Sequence, residues 1–293
     1  MEKDKKLKIG VVIYTFDRVD DAKINMEIIR NLWSKLPVFS DITIVHAYNG
    51  KKGWYPKKYL ENSLVRMKNP GHFQGASDLI DAGTKILIQK KDIDYVIVLA
   101  SDTWLLKPEY IAKAINEMRK KDLYLATCPW GLPNRNDIRD VGVATDFFCL
   151  DIKWARKYKL FPLRYKEFYK KYGEYLLYKS GSNVMLEKLM LMRFMQAIRR
   201  VICSDNLYKA VAKEKIYWLS DREPVHSHIN KRGLWVRKML WEKIGLETSH
   251  DLLQKKKFLK KFDFCQGKNT KRLLGSKDLN YFNESKKGNK GQY

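Results

Sequence analysis

The stretch that most constrains this chain is DYVIVLASDTWLLKPEYI, Asp94 to Ile111. Tyr95 to Ala100 are six apolar or small residues in a row, with no polar alternation. That is the pattern of a strand covered on both faces, which calls for helices on either side of a sheet. The run is too short to cross a membrane. It breaks into Ser101, Asp102 and Thr103, small polar residues at the strand's carboxyl end, where α/β folds usually bind ligands. Asp102 there reads either as a turn cap or as a metal ligand. Pro108 suits the opening of a helix, because a first turn does not need its missing N–H, and Glu109 suits the helix dipole.

The rest of the chain repeats the theme. Leu7 to Tyr14 reads as a first buried strand ending in Thr15-Phe16-Asp17-Arg18. Asp20 or Asp21 caps a helix in which Ile24, Ile28, Leu32 and Leu36 recur at spacing four, and Pro37 ends it. Asp41 to Ala47 is a second strand running into the turn Tyr48-Asn49-Gly50. Ser63 to Met67 is a third, broken by Asn69-Pro70-Gly71-His72, and Gly75 to Gln89 is a helix. After the central strand come a helix over Ile111 to Lys121 and a strand over Leu123 to Cys128. Val143 to Leu150 is a strand whose only charge is Asp146. Lys153 to Tyr172 is basic, aromatic and helical in parts. Helices follow over Val184 to Arg199 and Leu234 to Ile244, with a short strand over Ile216 to Leu219 between them. The order β-α-β-β-α-β-α-β predicts a mostly parallel central sheet flanked by helices, with a helical C-terminal extension. Neither a G-x-G-x-x-G turn nor a G-x-x-x-x-G-K-[ST] loop is present, which argues against a dinucleotide site of Rossmann type and against a P-loop.

Charge narrows the partners. Lys and Arg number 58 against 33 Asp and Glu, a net of +25, which favours nucleic acid, anionic lipid or phosphorylated substrates. Four widely spaced cysteines give neither a zinc pattern nor a disulfide framework. The start has no apolar run of signal-peptide length, so a cytoplasmic protein is expected. Residues 1–250 read as one domain and 251–293 as a basic tail. The tail holds twelve Lys and Arg against four acids, with Phe258, Leu259 and Phe262 among them. Such a segment can hold a protein peripherally at the anionic inner face of a membrane.

Taken together, these residues resemble GT-A glycosyltransferases, most of all the family 2 type that uses nucleotide-sugar donors. The resemblance covers Leu7 to Ile244 as a diffuse pattern. It implies a donor site from Thr15, Asp17, Arg18, Asn49, Gly75, Asp81, Ser101 and Asp102. Ala100-Ser101-Asp102 matches the D-x-D metal motif, with Ala100 in place of the first acid. The implied cofactor is Mg²⁺ or Mn²⁺, with Asp102, His226 and His228 as ligands. Glu187 matches the acid that opens the base-bearing helix, although Lys188 replaces its usual acidic neighbour. Asp146, a lone charge in an apolar strand, competes with Glu187 for the role of general base, and Glu187 is slightly preferred.

The expected function is therefore inverting transfer of a sugar from a nucleotide-sugar to a hydroxyl of a glycan, lipid-linked or protein acceptor. Trp54, Trp104 and Trp130 are candidates for stacking on sugar or base rings. The alternatives are a nucleotidyltransferase of similar fold and a non-catalytic protein that binds nucleic acid or another polyanion.

Overall fold

The computed structural model describes residues 6–16, 19–50, 63–101, 103–105, 108–131, 141–171, 185–199, 215–218 and 246–248. A seven-stranded sheet has the order β3-β2-β1-β4-β7-β6-β8. Its strands are β1 (Leu7–Thr15), β2 (Phe39–Tyr48), β3 (Ser63–Arg66), β4 (Tyr95–Ala100), β6 (Leu125–Gly131), β7 (Val141–Asp151) and β8 (Ile216–Trp218). Six of them run the same way, and β7 runs against both of its neighbours. The expected mostly parallel α/β sheet is therefore what forms. A separate pair joins β5 (Thr103–Leu105) antiparallel to β9 (Leu246–Thr248), and neither strand is signalled by its own residues. The helix expected over Leu234 to Ile244 lies outside the described residues.

The absence of alternation in the central strands has its reason in two apolar layers. Val11, Ile13, Ile97 and Leu99 point to one side, where α1 (Val19–Asn31) and α3 (Glu109–Lys120) bury Ile24, Ile28, Ile111 and Ile115. Val12, Val96 and Val98 point to the other. There α2 (His72–Gln89), α4 (Ile152–Lys157), helical residues 165–171 (α5) and α6 (Met185–Arg199) supply Leu79, Ile80, Leu87, Trp154, Phe168 and Phe194. Each such side chain taken fully from water contributes about 1.5–3 kcal/mol. Expected helix bounds hold to within about three residues, except that α1 gives way to a 3-10 turn, Trp33–Lys35, before Pro37.

Two glycines let α2 lie close on β1. A Cβ at Gly83 would meet the stiff Val12 side chain, and one at Gly10 would come within 2.7 Å of Leu87. The helix therefore runs antiparallel to β1 along its length, and its first turn reaches the carboxyl ends of β1 and β2. Gly71, which opens it, has φ of 130°, a conformation that only glycine adopts readily.

Candidate functional site

From β1 the chain steps to β2 and β3 on one side, and it later places β4 on the other. The strand order thus reverses between β1 and β4, and their carboxyl ends leave a crevice there. Four candidate residues meet at this edge: Thr15, Asn49, Gly75 and Ser101.

Thr15 ends β1 and is 1% exposed. Its hydroxyl shares a 2.9 Å hydrogen bond with His46 Nε2 on β2. Burial holds the His46 imidazole down at about 4, so the ring is neutral at physiological pH. The Thr15 carbonyl accepts the Asn49 N–H at 3.2 Å, which fixes Asn49 just past the end of β2.

Asn49 is 5% exposed. Its Nδ2 donates to the Gly75 carbonyl at 3.2 Å, and its Oδ1 is buried without a hydrogen-bond partner. Gly75 sits in the first turn of α2 because two amides fill the space a side chain would take. A Cβ there would lie 2.5 Å from Asn69 Oδ1 and 2.8 Å from Asn49 Nδ2. Asn69 is held in turn by the Gly71 N–H, which donates to its Oδ1 at 3.0 Å. No acidic side chain occupies the first turn of α2 and no side chain caps it.

Across the crevice, the Ser101 N–H donates to the Tyr14 carbonyl at 3.1 Å. Asn25 of α1 donates to the carbonyls of Thr103, at 2.8 Å, and Ala100, at 3.4 Å. Trp104 Nε1 donates to the carbonyls of Asp21 and Ser101, both at 3.2 Å. Trp104 is 1% exposed, so it packs under the turn and is not free to stack on a ligand. Asn25 Oδ1 and Thr103 Oγ1, like Asn49 Oδ1, are buried without partners. An orphaned buried oxygen costs on the order of 1–3 kcal/mol, so three along one edge ask for an explanation.

Asp146 arrives from β7. The β4–β7 register runs to Leu99 opposite Phe147, which puts Asp146 one residue further, at the carboxyl end of β4. The β6–β7 register jumps there from Thr127–Phe148 to Pro129–Val143, so β7 bulges over residues 144–147. The Thr127 hydroxyl donates in this gap, 3.2 Å from the Ala144 carbonyl and 3.1 Å from that of Phe147. Bulges commonly re-aim a side chain beside an active site.

Asp81 lies elsewhere. It is midway along α2, and its carboxylate accepts the Leu163 N–H at 2.7 Å. Burial pushes its carboxyl up to about 7, against the pull of the Leu163 and Arg164 N–H groups. The α6 helix that carries Glu187 does form. Its Arg193 and Phe194 reach the 154–160 segment at the amino side of the sheet, so the helix opens toward the carboxyl edge. Asp17, Arg18, Asp102, His226, His228, Trp54 and the tail lie outside the described residues. Among those described, no three His, Cys, Asp or Glu residues group as a metal set, and no helix is long and apolar enough to cross a membrane. Cys149 is a buried free thiol.

Sequence reasoning passed over Asn25, His46 and Asn69. The first two had a signal: each is a polar residue inside an otherwise apolar stripe or strand. Asn69 looked like any turn former.

No protein-family model matches the chain, and no curated protein does. Solved structures resemble it loosely. TarS 1–349 of S. aureus has a TM-score of 0.40 at 10% identity, over 65% of this chain and 55% of its own. An active-site mutant of LgtC has a TM-score of 0.42 at 11% identity, over 80% of this chain and 94% of its own. A197 from STIV has a TM-score of 0.31 at 9% identity, over 52% and 68%. This chain thus spans about half the length of TarS 1–349. Likenesses this loose assign nothing to it.

Proposed function

We propose that this protein is a GT-A-type glycosyltransferase that moves a sugar from a nucleotide-sugar to an acceptor hydroxyl. The observation that carries the reading is the row of buried, partnerless oxygens on Asn25, Asn49 and Thr103 along the carboxyl edge at the strand-order reversal. These atoms are closed to solvent in the ligand-free chain, so a polar ligand that opens the edge recovers their cost by supplying donors. The base and ribose of a nucleotide offer N–H and O–H groups of that kind.

In this reading Asn49 and Gly75 take the nucleoside end of the donor, and Asp17 and Arg18 are further candidates for the donor site. Ser101 and Asp102 are assigned to the pyrophosphate end. A Mg²⁺ or Mn²⁺ ion would supply positive charge against the leaving pyrophosphate. Asp102 is the carboxylate proposed to hold it, His226 and His228 being the other candidates. The chain would supply one carboxylate to take the proton from the acceptor hydroxyl as that oxygen attacks the anomeric carbon with inversion. The bulge supports Asp146 for this task over Glu187. The acceptor is a glycan, lipid-linked or protein hydroxyl, and the basic tail, 251–293, is proposed to bring the enzyme to anionic membrane surfaces.

A thermal-shift screen of nucleoside diphosphates and their sugars with Mn²⁺ tests the donor site, since a ligand of the native state raises apparent stability by mass action. At least one nucleotide should raise the midpoint, and Asp102→Asn should abolish its Mn²⁺-dependent part. With that donor, Asp146→Asn should slow transfer by about 10²-fold or more while leaving nucleotide binding intact. A flat screen across all nucleotides would remove the reading, and loss of transfer in Glu187→Gln alone would exchange the base.

A further inference from the structure

The two helical layers differ in charge. On one, α1 and α3 carry five Lys and Arg against five acids. On the other, the segment from Lys153 to Lys171 carries eight Lys and Arg against Glu167 alone. Seven of the eight, Arg156 being the exception, are exposed.

This segment is a fixed ribbon laid antiparallel along α2. Lys153 pairs with Asp94 at 3.9 Å, near the amino end of β4. Arg156 donates to the carbonyls of Ile88 and Lys90 at 3.0 and 3.1 Å, capping the end of α2. Leu163 donates to Asp81, and the Tyr165 ring stacks on Phe73 with centroids 6.3 Å apart. Arg193 of α6 holds the Lys159 and Leu160 carbonyls from behind. From Phe73 to Lys90 the ribbon follows about 25 Å of helix.

Its turns favour cations over the residues that backbone geometry prefers. Lys159 follows α4 with φ of 53°, where the Leu160 N–H reaches back to the Ala155 carbonyl and the Lys159 N–H to that of Arg156. Glycine is the usual residue there. Arg164 has φ of 59° just before α5. At the far end Tyr169 is 46% exposed between Lys166 and Lys170-Lys171, stacked on Tyr165 at 6.0 Å.

We infer that this ribbon is a docking surface for anionic lipid headgroups, on the folded body and separate from the tail. The inference rests on none of the catalytic roles proposed above. A membrane plane needs a row of long-stemmed cations and an amphipathic ring at headgroup depth, and 153–171 presents both. Single-stranded nucleic acid would ask for successive stacking rings along a groove, and a duplex for a helix free to enter one. The ribbon presents one largely exposed ring, and α4 and α5 are short and packed against the body.

The test measures partition of the full chain onto phosphatidylserine-containing and pure phosphatidylcholine vesicles at physiological ionic strength. One variant combines Arg164→Gln, Lys166→Gln, Lys170→Gln and Lys171→Gln. The control removes the same charge from the opposite layer through Lys113→Gln, Arg119→Gln, Lys120→Gln and Lys121→Gln. All eight positions are exposed, and the two melting curves verify folding. The ribbon variant should lose on the order of 100-fold in partition onto the anionic vesicles, the control only a few-fold. Equal losses, or no anionic preference in the unmodified chain, would overturn the inference. So would a ribbon variant that keeps its vesicle partition but loses binding to single-stranded RNA.

Discussion

The two edges of the sheet are held differently. At the amino edge, the Lys8 N–H donates to Asp94 at 3.0 Å, and the Lys8 ammonium pairs with Asp92 at 2.9 Å. Asp151 caps α4 by accepting the Trp154 N–H at 2.8 Å. These groups are satisfied and several of them sit in water, although the buried Trp154 Nε1 beside them has no partner. At the carboxyl edge, Asn25, Asn49 and Thr103 are buried and keep an oxygen without a partner. A chain selected only for stability would pair those oxygens or replace them with apolar groups. The contrast is one of degree: the carboxyl edge gathers three partnerless oxygens where the amino edge leaves one indole N–H, which marks the first as the edge prepared for something that arrives later.

The largest expected effect comes from closing the prepared edge. Gly75→Ala drives a methyl group into the Asn49 and Asn69 amides, so affinity for the nucleotide found by the thermal-shift screen should fall by about 10-fold or more. The clash falls on two side-chain ends and not on backbone, so the ligand-free melting midpoint should fall less than the affinity does. Isothermal titration of the variant at unchanged affinity would erase the distinction between the edges.

A middle effect is expected between them, at Asp81. Its folded-state carboxyl stands at about 7 against an ordinary 3.8. The folded protein therefore keeps a proton that the unfolded chain gives up, and this contribution is full below the ordinary carboxyl range. It is lost as pH rises toward 7 and is flat above that. Asp78 on α2 and Arg193 on α6 are the charges that act on it, and Lys85 lines the same cavity. His46 works in the opposite sense: its stabilising contribution is present above 6.5 and is lost as pH falls to about 4. Wild type and Asp81→Asn should therefore be compared by denaturant melts from pH 4 to pH 8. The variant should gain on wild type as pH rises and gain nothing more above about 7. A constant difference across the range would remove the titration from Asp81.

The smallest effect belongs to the amino edge. Lys8→Met removes an ion pair whose side chains are 42% and 58% exposed, and such pairs are screened and contribute little. No measurable change in melting midpoint or in nucleotide affinity is expected. A loss comparable to that of Gly75→Ala would show that the edges do not differ.

Some of this was legible in the residues alone. Unbroken apolar runs such as Tyr95–Ala100 require cover on both faces, and that requirement fixes a helix–sheet–helix stack before any contact is known. The polar residues that end β1, β2 and β4 mark one edge for the same reason, since parallel strands that share a core end together. Local signals also found α2 and α6, whose apolar faces repeat with the period of a helix.

Other features belong to tertiary structure. The Val141–Asp151 strand reads like its parallel neighbours, and only its pairing with β4 and β6 reverses it and forms the bulge at Asp146. Asp81 looks like a donor-site residue because it shares a helix with Gly75. Six further positions turn it onto the Leu163 turn, since a helix aims each side chain by its 3.6-residue period. Trp104 reads as a ring at a strand end that either stacks on a ligand or packs, and only the fold decides for packing, because α1 and the Ser101 turn close over it. Nothing local distinguishes a polar atom that will find a partner from one that will not. That depends on which side chains distant parts of the chain bring to the crevice, and the fold as a whole decides it.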